Sequence, residues 1–271
     1  MTSYLAYWLT SLSLLSAHYQ QPPEQARWVL VADPFFCQLQ QQVTGLGQVQ
    51  FMTAPAEPLT LQFEFEQPNL HVNSARLQVI DADWQAPALR RGGTVFSASA
   101  IAAQRIEFRE APLLWLQQLH LGYWLLFEFQ TDDTDVRLTL TSIEGRQAVD
   151  GFRQCVTKMA PLTWQQARDL SLEMQRGQRT LSSAQQTQLR QLVSYLQYDK
   201  AVQRILIDGH ADDTGDQLAD RLLSRERADD AAAYFLELGV KAAMLEVRAH
   251  GNRYPVAANQ PNRRVVVRLI R

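Results

Sequence analysis

The sequence predicts two domains: an N-terminal all-β barrel or sandwich, then a C-terminal α+β sandwich. Three observations lead there. The chain has 271 residues, which suits two domains better than one. From Trp28 to about Ile143 apolar and polar residues alternate, the period of half-buried strands. Beyond Gly151 helical spacing appears between shorter strand patterns. Composition is that of a globular protein, 46% hydrophobic and 20% charged. Its 26 basic residues are matched by 28 acidic ones, which argues against a nucleic-acid surface. No long apolar run follows residue 20, so no internal membrane helix is expected.

Along the chain, residues 1–17 come first. Tyr4 to Ala17 is uncharged, mostly apolar and too short to span a bilayer, and polar HYQQPPEQ follows it. A secretory signal with cleavage after Ala17 is expected; the alternative is a hydrophobic strand or an exposed apolar arm. The chain has two cysteines, Cys37 and Cys155. An even number in an exported chain favours one disulfide, and two buried free thiols are the other option.

The first domain, residues 18–159, is expected to contain strands at LTLQFEFE (59–66), ARLQVIDAD (75–83), LLFEFQ (125–130) and VRLTLTSI (136–143). Turn signals TAPAEP, EQPN, RRGG and TDDTD separate them. These strands are shorter than a membrane barrel needs and carry Glu and Gln outward, so this part is expected to be soluble. A short helix over Phe152–Lys158 carries Cys155.

In the second domain, residues 160–271, LSLEMQRGQ predicts a strand. Residues 182–199 predict a helix capped by Ser182 or Ser183, with Leu189, Leu192, Val193 and Leu196 on its apolar face. Val202–His210 is a strand, and Leu218–Leu238 a helix stopped by Gly239. Met244–Gly251 and Arg263–Ile270 are strands, completing the order β-α-β-α-β-β.

The chemistry gathers at GHADDTGDQLADRLLSRERA, residues 209–228, where a strand gives way to a helix. Asp212, Asp213 and Asp216 lack calcium-loop spacing, and His210 has no second histidine or cysteine beside it, so a metal is not expected. A phosphate loop would need Lys and Ser or Thr after Gly215, where Asp216 stands instead. An amphoteric ligand fits better. Asp212 could take an ammonium and Arg227 a carboxylate, with the amides of Thr214 and Gly215 completing the carboxylate site. The same residues also fit a plainer role, with Asp212 as a cap and Arg227 in a surface ion pair. No nucleophile–base pair or paired catalytic carboxylates stand out, so neither an enzyme nor a cofactor is expected.

G-H-A-D-x-T-G, then D-x-x-L-S-x-x-R-A (220–228), A-H-G-x-x-x-P-V-A-x-N (249–259) and N-R-R-V (262–265) resemble the OmpA-like peptidoglycan-binding domain. The resemblance implies that Asp212 and Arg227 hold the ammonium and carboxylate of diaminopimelate in wall stem peptides. It further implies that Leu223 is core and that Ser224 and Asn262 support the loop and the arginine. Three positions depart from the family: Asp220, where Asn is usual, Ala249, often glycine, and Asn252, often acidic or lysine. Asp220 adds negative charge near the pocket, which would favour an ammonium and weaken capture of a carboxylate.

W-V-L-V-A-D-P-F-F-C-Q-L (28–39), G-x-x-x-F (47–51) and F-R-Q-C (152–155) resemble the ring proteins of sodium-type flagellar motors. That resemblance implies a periplasmic protein whose first domain binds the flagellar basal body and the partner MotX. The second domain would grip peptidoglycan, helping to fix stator complexes around the rotor. Two alternatives stay open: a general envelope tether and a wall-targeted hydrolase.

Overall fold

The structure, a computed structural model, describes residues 16–67, 70–85, 93–257 and 261–271. Most of the expected signal, parts of the turn stretches EQPN and RRGG, and Asn259 lie outside the described residues. The chain forms two compact units, residues 1–158 and 159–271. Among the described residues no helix is long and apolar enough to cross a membrane.

The first unit is a sandwich of two sheets. One has six strands: β2 (Val29–Asp33), β3 (Phe36–Val43), β4 (Gly47–Thr53), β5 (Thr60–Phe65), β9 (Arg105–Phe108) and β8 (Ala100–Ile101), in that spatial order. The other runs β1 (Ser16–Gln20), β11 (Asp135–Leu140), β10 (Trp124–Thr131), β6 (Val72–Ile80) and β7 (Val95–Ser97). The expected cleavage after Ala17 falls inside β1, which pairs in parallel with β11. Aromatic rings join the two sheets. Phe63 of β5 meets Phe129 of β10 at 5.1 Å, and Phe108 of β9 meets Phe127 of β10 at 5.6 Å. Alternation sends the apolar residues inward, while on the outer face Gln38, Gln48, Gln50 and Gln62 bond amide to amide across β3, β4 and β5.

Two helices accompany the sheets, one unexpected and one longer than the expected Phe152–Lys158. The first, α1 (Pro112–Leu121), spreads leucines around its whole circumference among Gln117, Gln118 and His120, so it carries no clean helical stripe to read: Leu113 is exposed while Trp115, Leu116 and Leu119 are buried. Its signals are instead the proline in the first turn and Gly122 in left-handed conformation at the end. Trp115 packs edge-on against Phe96 and Phe108, closing one side of the core. The second helix, α2 (Gly145–Thr157), begins seven residues before the expected start at Phe152 and buries Val149 and Phe152.

The second unit holds a four-stranded sheet in the order β12 (Asp169–Glu173), β15 (Arg264–Ile270), β13 (Arg204–His210), β14 (Leu245–Ala249). Strands β13 and β14 are parallel, and β15 runs antiparallel to both β12 and β13. Helices α4 (Ser183–Leu196) and α5 (Gln217–Glu237) are the two that periodicity predicts, and a one-turn α3 (Trp164–Arg168) precedes β12. Ser182 caps α4 in a reciprocal box with Gln185, and Gly239 follows α5 with φ +86°. On β13, Gly209 cannot carry a side chain: a Cβ there would lie 2.0 Å from the Ser224 carbonyl oxygen of α5. That close approach sets the spacing between strand and helix on which the site depends.

Cys37 on β3 and Cys155 on α2 are joined in a disulfide, at a sequence separation of 118 and with Cα atoms 6.0 Å apart. A loop of that size removes much of the freedom of the unfolded chain, an effect of about 4–5 kcal/mol in the entropy model. Reduction is therefore expected to lower the urea midpoint of the first unit sharply and leave the second unit unchanged. Urea titrations with and without reductant, followed on the tryptophans of the first unit and on Trp164 of the second, check this.

Candidate functional site

The site forms where β13 ends and α5 begins. Asp216 caps α5, accepting from the amides of Leu218 at 3.0 Å and Ala219 at 3.1 Å. Gly215 turns the chain with φ +86°, and its amide donates to Asp213 Oδ1 at 3.0 Å. Asp220, buried in the first turn of α5, reaches back to accept from the Thr214 amide at 3.2 Å and the Thr214 hydroxyl at 2.6 Å. Two expectations are corrected here. The amides of Thr214 and Gly215 are engaged by side chains of the loop itself and do not stand open to a ligand. The Asp220 carboxylate is turned inward to close the loop.

Arg227, two turns further along α5, is fully buried. Its Nε donates to the Gln178 carbonyl at 2.8 Å and its Nη1 to the His210 carbonyl at 3.0 Å. Its Nη2 is buried and has no partner among the described residues. The plainer reading of Arg227 as a surface ion pair is thus excluded. Asp212 lies across the loop. Its Oδ1 accepts from the Asn262 amide at 2.8 Å, and its Oδ2 accepts from Arg263 Nη1 at 2.5 Å. Burial works to raise the Asp212 pKa, but the Arg263 and Asn262 hydrogen bonds, with the charges of Arg263 and Arg227, hold it below the ordinary carboxylate value. Burial pushes the Arg227 pKa down, and the Asp212 charge works against that.

Asn262 and Ser224 serve the loops around this pair. The Asn262 side chain donates to the Ala211 carbonyl at 3.0 Å and accepts from Arg264. The Ser224 hydroxyl donates to the Arg221 carbonyl and accepts from the Gly251 amide, both at 2.9 Å. Ser224 therefore ties the β14–β15 loop to α5 and makes no bond to Arg227. Leu223, expected in the core, is only half-buried.

Sequence reasoning missed Arg263 and Gln178. Arg263 stands in the quoted N-R-R-V run, yet nothing in the spacing says which of its two arginines turns toward Asp212. Gln178 contributes only a backbone carbonyl, which leaves no trace in residue type. Among the described residues no group of three or more His, Cys, Asp or Glu side chains is placed to hold a metal ion.

The arrangement is a cluster of polar side chains at a strand-to-helix junction of an OmpA-like α+β domain, and residues 175–268 match the model of the OmpA family. Residues 19–161, more than half of the chain, match the model of the MotY N-terminal domain, and the chain belongs to that family. It is similar end to end to the sodium-type flagellar protein MotY of Vibrio parahaemolyticus, 24% identical with 95% of this chain and 94% of that protein covered. Over 72 residues it is 39% identical to the outer-membrane lipoprotein YfiB of Pseudomonas aeruginosa, covering 24% of this chain and 43% of that protein. The crystal structure of the peptidoglycan-associated lipoprotein of Burkholderia pseudomallei is similar over 37% of this chain and 89% of its own, at 25% identity and a TM-score of 0.35.

Behind the loop lies a charge network built on the buried Asp208. Asp208 takes a two-pronged bond from Arg248, at 2.7 and 2.8 Å, and a third from His250 at 2.7 Å. His250 stacks on His210 with ring centroids 5.0 Å apart. Burial, then the nearby Arg264 charge, pushes the His210 pKa from 6.5 down to about 4. Between those two values the unfolded chain binds a proton that the folded chain refuses, so stability falls as pH drops through that window. The loss across it is on the order of 3 kcal/mol. Urea midpoints at pH 7 and pH 4.5 are expected to converge in His210→Gln relative to the unsubstituted protein.

Proposed function

We propose that the second unit clamps the diaminopimelate of peptidoglycan stem peptides between Asp212 and Arg227. The first unit holds the flagellar basal body and MotX, so that the protein anchors stator units to the wall from the periplasm. The observation that carries the clamp is the Nη2 of Arg227, a buried cationic donor without a partner among the described residues, on a side chain that feels the Asp212 charge. A buried donor left unbonded costs about 1–3 kcal/mol, a cost that a ligand carboxylate would remove once the loop over the arginine opens to admit it. Asp212 shares its charge with Arg263, so the ligand ammonium takes an oxygen lone pair that Asn262 and Arg263 leave open. Binding is then two charge-assisted contacts at a fixed separation, matched to a carboxylate and an ammonium on one carbon. No bond is made or broken in this role. The family match and the end-to-end similarity to MotY support the motor assignment. A signal over residues 1–17 would supply the route to the periplasm.

Purified sacculi are expected to sediment the full chain. Asp212→Ala and Arg227→Lys should each weaken that binding by about 10- to 100-fold, the range for losing one hydrogen bond to a charged group. Circular dichroism melting separates this from unfolding, and folded variants that still sediment fully would refute the clamp. A strain lacking the gene is expected to lose swimming, with rescue by the unsubstituted chain and not by Asp212→Ala. Normal swimming of the deletion strain would leave only a general tether.

A further inference from the structure

We infer that Tyr254 is a second wall-binding element, a platform for an amino-sugar ring of the glycan strand beside the stem peptide. The inference rests on the clamp reading above and extends it from the peptide to the sugar. Tyr254 is 67% exposed, although its backbone sits in the left-handed region with φ +58°. An aromatic residue disfavours that conformation, and the following Pro255 adds to the restriction. A strained backbone persists only where its surroundings fix it.

Four contacts fix it. The Tyr254 carbonyl accepts from Arg264 Nη2 at 3.0 Å, and Arg264 is itself buried and bonded to Asn262. The preceding carbonyl, that of Arg253, accepts from His210 Nδ1 at 3.3 Å and from the Asn262 side chain at 3.4 Å. The Tyr254 ring stands perpendicular to His250 with centroids 5.4 Å apart, and His250 stacks on His210. Asn262, which anchors this loop, also donates its amide to Asp212. Tyr254 and the clamp carboxylate therefore hang on one asparagine, so the ring is placed relative to the clamp and not left to wander.

The core gains nothing from an exposed ring held this firmly, and its hydroxyl makes no hydrogen bond among the described residues. A rigid aromatic face with a polar tip suits a ligand that is apolar on one side and hydroxylated at its rim. A pyranose ring has that form, and in the wall it is covalently joined to the stem peptide that the clamp would hold. Val256, 63% exposed two residues on, widens the apolar surface on the same loop.

The test compares two probes on the full chain by calorimetry: a disaccharide-tripeptide ending in diaminopimelate and the same tripeptide without sugars. The unsubstituted protein is expected to bind the sugar-bearing probe about fivefold more tightly, the range of one aromatic contact. Tyr254→Ala should abolish that difference while leaving the tripeptide affinity unchanged, and Tyr254→Phe should preserve it. Asp212→Ala should lose both probes. If Tyr254→Ala weakens both probes equally, or neither, the platform is refuted, and a partner protein on this ring would give the second result. If the unsubstituted chain binds neither probe, the clamp itself fails and the platform falls with it.

Discussion

A guanidinium shut away from water organises the second unit. Desolvating such a charge costs several kcal/mol unless hydrogen bonds and an opposite charge offset it. For Arg227 the offset comes from three separate stretches of chain: the Gln178 carbonyl before α4, the His210 carbonyl at the end of β13, and Asp212 in the loop beyond. Each of these must in turn be held. Asn262 and Arg263 fix Asp212, and the sheet pairing of β13 with β15 fixes His210. The missing side chain of Gly209 lets α5 come close enough, at Ser224, for an arginine three residues later to reach these acceptors. One buried charge thus accounts for the closeness of helix to strand and for the convergence of the loops.

The aspartates around that charge show how little residue type says about role. Five stand between positions 208 and 220, and the structure gives each a different partner. Asp208 holds Arg248 and His250, Asp213 the Gly215 amide, Asp216 the first turn of α5, and Asp220 the Thr214 amide and hydroxyl. Only Asp212 lies across from Arg227 with a charge that acts on it. What reads as one acidic cluster is a set of separate hydrogen-bond assignments.

Most of the fold was legible because it rests on periodicity. Alternation marks β5 and β10 to within a residue and β11 to within three, and the Ser182 cap and Gly239 stop bracket the two long helices. Helix α1 escaped because leucines scattered on every side of it leave no period to detect. At the site, Asp212 and Arg227 were legible as opposite charges at a strand-to-helix loop. The use of the Thr214 and Gly215 amides was not, because a short aspartate can bond an amide two residues on, as Asp213 does, or six residues back, as Asp220 does, and residue type does not say which. Arg263 and the Gln178 carbonyl were hidden for a related reason: their roles depend on side-chain direction and on backbone atoms that every residue carries.

The disulfide has a consequence for how the chain would carry force. Cys155 lies three residues before the boundary at Lys158, so tension entering the first unit along the backbone from the second meets the sulfur bridge almost at once. There the covalent path divides, and the short branch leads straight to Cys37 on β3. The residues between the cysteines form a closed ring, with both ends already tied together at 6.0 Å between Cα atoms. Pulling on that junction cannot draw the ring out into an extended chain. Nearly all of the sandwich lies inside it, including the aromatic core and α1, and is shielded from stretching by a single covalent shortcut.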